Sequence, residues 1–390
     1  MVRVTITNMG PLTGVRVLEF EAIGPGPFCG MLLADMGADV LLVDRAQDAR
    51  LGFGRERWYD VMMRGRRSVT LDLKTPDGVT AALALAARAD AVIEGFRPGV
   101  MERLGLGPDV LLAANPKLVY GRTTGWGQDG PLAACAGHDI DYIALSGALH
   151  AIGRADGPPV PPLNLVGDFG GGGMLLAFGI ACALIEAQRS GQGQVVDAAM
   201  IDGASLLTTM IWGMQAAQKW NDVRGTNVLD SGAPWYDTYE TKDKRFVAIG
   251  AIEPKFYAEL LNRLGLANAA LPDQNDRAGW PALRARFAEV IATKTRDEWG
   301  RVFEGSDACV APVLTFIEAT RHPHFAARHS HVTVGAVTQP APAPRFSRTP
   351  GAVRRAPPER GALGREALGE WGFADDEVER LRALGLGCRN

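Results

Sequence analysis

Val15-Arg16-Val17-Leu18-Glu19-Phe20 is a run of β-favouring residues; the turn signal Gly24-Pro25-Gly26 follows, then Phe28 to Met36 with helical spacing, then the apolar run Asp39 to Val43. Strand, tight turn, helix and strand within about 30 residues is the signature of a βαβ unit. The pattern continues outward from it. Thr80 to Arg88 is an Ala/Leu-rich helix, Ala91 to Glu94 a strand and Leu118 to Arg122 another. Alternation of this kind implies parallel strands with helices on both faces, an α/β doubly wound, Rossmann-like large domain.

Further along, Gly167 to Gly173 is a glycine-rich stretch opening onto an apolar helix that ends near Ser190-Gly191. A helix over Met200 to Trp220 is long enough to join two domains. After Asn227 the texture changes, with strands expected at Tyr236–Thr241 and Arg245–Ile252 and helices at Lys255–Leu264, Trp280–Thr293 and Arg296–Phe303. Thr295-Arg296-Asp297-Glu298 is a capping box at the start of the last helix. The expected division is a large domain at 1–200 completed by 318–390, a linker helix at 201–229, and a smaller α+β domain at 230–317. The closing segment holds a Pro- and Arg-rich extended strap at 337–358 and a short helix at Asp375–Leu384.

The chain has 390 residues, enough for two domains. Its 41 Lys and Arg against 44 Asp and Glu leave a net charge of −3, which excludes a broadly basic nucleic-acid binder. The five cysteines (Cys29, Cys135, Cys182, Cys309, Cys388) are odd in number, widely spaced and never form a CxxC pair. That speaks against a disulfide framework or structural zinc and for a reducing, cytoplasmic setting. Met1 to Leu12 lacks the apolar stretch of a signal peptide. The most apolar run, Met174 to Ile185, falls short of the roughly 20 residues needed to span a bilayer. No membrane partner is expected. Four of the six histidines (His322, His324, His329, His331) crowd together, but with no cysteine or clear carboxylate set beside them a metal site is not expected.

Asp44, following the second strand, invites a dinucleotide-binding reading. That fingerprint needs G-x-G-x-x-G with N–H groups facing a pyrophosphate. Here Cys29 occupies the sixth position, and Pro25 and Pro27 remove two donors. Arg45, next in sequence, is instead a cation suited to a phosphate or adenine. Arg64, Arg66 and Arg67 read as a solvated basic loop or as phosphate contacts. Met200, Met210 and Met214 read as core filler or as an adaptable acyl groove.

Two segments carry groups able to do chemistry: Gly137-His138-Asp139-Ile140-Asp141-Tyr142 and Val166-Gly167-Asp168-Phe169-Gly170-Gly171-Gly172. A histidine titrates near neutrality and serves as a base. An aspartate before a glycine-rich helix start has donors and a helix dipole beside it, although such an aspartate also serves as a cap. Glu253, opening the helix in Ile252-Glu253-Pro254-Lys255, likewise fits as a first-turn carboxylate complementing the helix dipole.

Taken together, GPLTGVRVLEF (10–20), EGFRPGVMERLGLGP (94–108), TGWGQDGP (124–131), AGHDIDY (136–142), PPLNLVGDFGGG (161–172), GQGQVVDAAMIDG (191–203), GAPWYDTYE (232–240) and AIEPKFY (251–257) resemble the α-methylacyl-CoA racemase branch of the family III CoA-transferase superfamily. The resemblance runs from about Gly10 to about Arg348. It implies an isomerase acting on 2-methylacyl-CoA thioesters, with His138 and Asp168 as acid/base groups on opposite faces of the α-carbon. It assigns His138 to the S isomer and Asp168 to the R isomer. Glu253 would orient His138 from the small domain of a partner subunit in an interlocked homodimer. The matching CoA-binding positions are Arg45, Leu71, Asp72, Leu73, Lys74, Gly137, Asp139, Ile140, Asp141 and Tyr142, with Arg97 in the FRPG turn as a further cation. No metal and no cofactor is implied. The alternative is a CoA transferase of the same superfamily using Asp168 as nucleophile; related transferases lack the histidine motif.

The acid–base logic agrees: inverting a carbon beside a thioester needs a base on one face and an acid on the other, each typically worth about 10²–10⁴-fold. The enolate oxygen formed between the two steps needs preorganised donors. The N–H groups around Asp168 and the helix start that follows it are the expected ones. One departure stands out: Asp141 replaces the asparagine common in the family's motif.

Overall fold

A computed structural model describes residues 10–47 and 56–389. The amino-terminal segment read above for a signal peptide lies, up to residue 9, outside the described residues. Six strands form one parallel sheet: β1 (Arg16–Phe20), β2 (Asp39–Asp44), β3 (Arg67–Thr70), β4 (Ala91–Glu94), β5 (Val119–Thr124) and β6 (Gln194–Ala199), in the order β3-β2-β1-β4-β5-β6. This is the doubly wound order, with its reversal between β1 and β4. The α/β expectation is met, and β3 and β6 are strands that periodicity alone had not marked.

Side chains of period two divide between the faces of the sheet. Leu18, Phe20, Leu41, Val43, Val92 and Tyr120 pack on one face with helix Pro76–Ala86 and the carboxyl-terminal helices Gly364–Glu370 and Asp375–Ala383. Val17, Val40, Ala91, Ile93 and Val119 pack on the other with helices Pro25–Asp35 and Leu175–Ser190. The late chain returns to the sheet edge, where Thr70 bridges Gly387.

Two compact units result. The first contains the described residues within 1–146, 163–207 and 324–390; the second contains 147–162 and 208–323. In the second, an antiparallel sheet β7 (Tyr236–Glu240), β8 (Phe246–Gly250) and β9 (Val310–Pro312) packs with helices Pro254–Arg263, Trp280–Ile291 and Arg296–Phe303 around Trp235, Tyr239, Phe287 and Trp299. The Thr295–Glu298 capping box forms as read: the Glu298 N–H donates to Thr295 Oγ1 at 3.2 Å and the Thr295 N–H to Glu298 Oε2 at 2.8 Å. Within the strap, Val337–Pro340 is not merely extended: it forms β11, paired antiparallel with β10 (His331–Val334).

Three readings are corrected. The helix expected over Met200–Trp220 is two short helices, Met200–Leu207 and Thr209–Ala216. The apolar run around Met174 continues from an upstream turn, so that Leu165–Ser190 is helical over 26 residues and, by length and composition alone, long and apolar enough to cross a membrane. Leu176, Ile180, Ala183, Leu184 and Ala187 are nevertheless buried against the sheet, the behaviour of a core helix. Arg64, Arg66 and Arg67 are neither solvated nor free for phosphate: all three are buried. Arg64 pairs with Asp35 at 2.6 Å, Arg67 with Asp39 at 2.6 Å, and Arg66 with Glu19 at 2.6 Å, the last pair fully inaccessible.

Arg66 also donates to the Pro27 carbonyl at 2.6 Å, fastening the first βα turn to β3. Because breaking a buried pair strands a charge, Arg66→Met should destabilise the protein by about 3–5 kcal/mol, and adding Glu19→Gln should recover part of the loss. Urea midpoints of the two single variants and the double variant check this.

Candidate active site

The chemistry-bearing residues gather where strands end. Arg45 follows β2, Leu71 to Lys74 follow β3, Arg97 follows β4, and Trp126 and His138 follow β5. Ligands of open α/β sheets bind at the carboxyl ends of strands beside the reversal point.

Asp168 does not sit on a simple helix start. Leu165–Met174 is a π-helix, a wide turn that runs directly into helix Leu175–Ser190. Such π segments are frequent at functional sites. Four glycines make this one possible, among them Gly172, where a Cβ would stand 2.8 Å from the Pro25 Cβ. A Cβ on Gly171 would stand 2.7 Å from the Ala204 nitrogen, one on Gly173 would stand 2.7 Å from the Pro25 oxygen, and one on Gly203 would stand 2.0 Å from the Gly171 oxygen. Phe169 packs on Phe28 with ring centroids 4.7 Å apart.

The Asp168 carboxylate is half-buried. Asn164 Nδ2 donates to its Oδ2 at 3.0 Å, and Gly24, at φ +67°, lies so near that a Cβ there would be 3.2 Å from Oδ2. Burial raises the Asp168 pKa above its ordinary value; the Asn164 bond and the charge of His138 act against that rise, and Asp139 adds to it. Asp168 thus lies close enough to His138 to feel its charge, and the two expected catalytic groups share one neighbourhood.

His138 is the N-cap of helix Asp139–Leu145, and its N–H donates to Asp141 Oδ2 at 2.9 Å. An asparagine oxygen accepts the same bond, so the departure at 141 preserves the cap. Tyr142 is buried; its hydroxyl donates to the Gly137 carbonyl, and its ring meets Trp126 edge-on at 4.8 Å. The fit is close enough that a Cβ on Gly125 would fall 2.2 Å from that ring. Burial pushes the Tyr142 phenol up to about 12, with Arg97 acting against the rise. Tyr142 thus supports the loop before His138. Asp139 also faces inward, 6% exposed, and its Oδ2 accepts the Asp168 N–H at 2.7 Å. This removes the Asp168 N–H from the expected oxyanion donors, since it is already committed, and leaves that role to the N–H groups of the helix start that follows. Ile140 is exposed and Gly137 partly so.

Around the expected nucleotide end, Arg45 is partly exposed, with its N–H on Glu21 and its carbonyl accepting from Arg360 at 2.9 Å. Leu71 is buried, and its N–H donates to the Asp44 carbonyl. Asp72 accepts the Lys74 N–H at 3.0 Å, closing a turn that leaves Lys74 exposed. Arg97 is exposed on a turn held by Glu94, whose carboxylate accepts the Phe96 N–H at 2.8 Å and a bond from Arg122 at 3.0 Å. Asp44 is occupied by Arg57, Arg360 and Ser68, so it is not free for a ribose.

Glu253 lies in the second unit, exposed at the N-cap of helix Pro254–Arg263 without a side-chain cap bond. Of the three helical methionines Met200 is buried and Met210 exposed. Among the described residues no group of His, Cys, Asp or Glu could hold a metal ion, the histidine tract included. Asn164 and Trp126 are not among the residues singled out from the sequence, and Gly24 is read there only as a turn; Asn164 carries a readable signal, four residues before Asp168 within PPLNLVGDFGGG.

Because the Asn164 bond favours the ionised carboxylate, Asn164→Ala should raise the Asp168 pKa further. Carboxyl ¹³C titration checks this, with a signal titrating above 3.8 in the parent and higher in the variant.

Residues 12–363 match the family model described as CoA-transferase family III. The chain is 49% identical to the α-methylacyl-CoA racemase of Mus musculus over 95% of its length and 96% of that protein. It is 45% identical to the α-methylacyl-CoA racemase of Homo sapiens, over 95% and 96%. Among solved structures, a CAIB/BAIF family protein from Brucella suis superposes with a TM-score of 0.81 at 27% identity, covering 93% of this chain and all of that one. The π-helical Asp168 turn and the histidine at the start of the facing helix therefore sit in a chain that belongs to CoA-transferase family III.

Proposed function

We propose that this protein is an α-methylacyl-CoA racemase, an isomerase interconverting (2R)- and (2S)-2-methylacyl-CoA thioesters by proton transfer through an enolate. The observation that carries the reading is the joining of His138 and Asp168 through Asp139, which neighbours the first in sequence and accepts the amide of the second. One group removes the α-proton and the other returns a proton to the opposite face; His138 serves the S isomer and Asp168 the R isomer. The near-half identity to two racemases supports this substrate class. A transferase needs Asp168 alone, so the company of His138 favours racemisation.

Arg45, the 71–74 turn, Arg97 and the exposed edge at Gly137, Ile140 and Asp141 bind CoA in this reading, the cations meeting its phosphates. Asp139 and Tyr142, being buried, contribute through the backbone they hold. Two chains interlock as a homodimer, and Glu253 of the partner subunit orients His138. Exposed Met174, Phe178 and Ile185 on one helix of the first unit support a docking face, since large apolar patches on a surface mark contacts. Five free cysteines fit a reducing, cytoplasmic setting.

Asp168, with its raised pKa, is a competent base only above that pKa. The rate from the R isomer should therefore fall as pH drops through a value above the ordinary carboxylate range. To separate the functions, 2-methylacyl-CoA is incubated with the enzyme in D₂O, with and without a free carboxylic acid acceptor. Deuterium at C2 without acceptor is the expected result. CoA exchange only when acceptor is present would make the protein a transferase, and neither reaction would make it a binder.

A further inference from the structure

We propose that Asp139 is a positioning residue that fixes the distance between His138 and Asp168; the inference rests on the racemase reading. The Asp139 carboxylate reaches from the first residue of helix Asp139–Leu145 into the π-helical turn and accepts the Asp168 N–H at 2.7 Å, with the Gly167 backbone beside it also favouring its ionised form. Gly167 is shaped to this contact. A Cβ there would lie 2.6 Å from Asp139 Oδ2, 2.9 Å from its Cγ and 3.3 Å from its Cα, so no larger residue fits without moving one strand of the site.

The second carboxylate oxygen, Oδ1, is buried and has no hydrogen-bond partner among the described residues. A carboxylate held out of water with one oxygen unsatisfied costs stability, and burial correspondingly raises its pKa. Stability alone therefore gives a poor reason for this residue. Geometry gives a better one. His138 is bound to the same helix start through the Asp141 cap, so the imidazole-bearing residue and the Asp139 grip on Asp168 move together. The carboxylate sets where one acid/base group stands relative to the other, and it does so from beneath, without touching the thioester. A misplacement near 1 Å in such a constellation costs about 10²-fold in rate.

The test compares Asp139→Ala, Asp139→Asn and Gly167→Ala for kcat, KM and deuterium exchange at C2 with a 2-methylacyl-CoA ester, beside His138→Ala and Asp168→Ala. Asp139→Ala should lower kcat by about 10²-fold with KM unchanged. Asp139→Asn, whose amide oxygen accepts the same N–H, should restore most of that loss and keeps the shape needed for folding. Gly167→Ala, pressing on the bond from the other side, should reproduce the kcat defect. A raised KM with kcat unchanged in Asp139→Ala would make the residue a CoA contact and overturn the proposal. So would an asparagine variant as slow as the alanine variant. Exchange persisting in His138→Ala and Asp168→Ala would sink the racemase reading and this inference with it; exchange lost there but kcat retained in Asp139→Ala would sink this inference alone.

Discussion

Hydrogen-sized side chains at 171, 172, 173 and 203 are the constraint on which the site depends. Through them the π-helical turn lies directly on helix Met200–Leu207 and on the start of helix Pro25–Asp35, backbone against backbone. Glycine carries an entropic cost in a helix, about 1 kcal/mol relative to alanine. Four close contacts of this kind offset it by allowing an approach that no other residue permits. Asp168 is placed by that approach. Its turn already touches both helices backbone to backbone, and Phe169 packs at a tilt on Phe28.

The opposite wall is built by different means. Buried charges tie the loops at the strand ends to the sheet. Arg66 joins Glu19 to the first turn, Arg360 draws the carboxyl-terminal segment to Glu21 and Asp44, and Glu94 clasps the Phe96 amide. Burial pushes Glu94 up to about 7 even with Arg122 beside it. Tyr142 and Trp126 then pack the loop that precedes His138. Rigid backbone on one side and buried ion pairs on the other leave His138 and Asp168 as two polar groups near open solvent.

Much of this was legible in the chain. The run 15–20, the turn signal at 24–26 and the run 39–43 are local patterns, and they mark β1 and β2 to within a residue, while the helix between them begins three residues early, at Pro25 inside the expected turn. Thr295–Glu298 likewise carries its own cap. Strand β3 was hidden because Arg66 and Arg67 look like surface residues until Glu19 and Asp39, distant in sequence, arrive to neutralise them. The glycine run at 167–173 reads as the lead-in to an apolar helix, whereas its close contacts make it a π-helical turn continuous with that helix. Asp139 read as one of several ligand-side residues because the partner that turns it inward, the amide of Asp168, is 29 positions away. Long-range pairing of charges and amides is what a sequence conceals.

The racemase account therefore rests on two groups serving opposite faces of one carbon, each from an element anchored in a different way. It is tested most directly by following a single enantiomer of 2-methylacyl-CoA through its first turnovers in D₂O, with both the remaining substrate and the inverted product analysed for label at C2. Two facing groups predict deuterium in the inverted product while the unreacted enantiomer stays protiated. Original hydrogen retained in the product, or equal label in both enantiomers from the earliest times, would contradict the account.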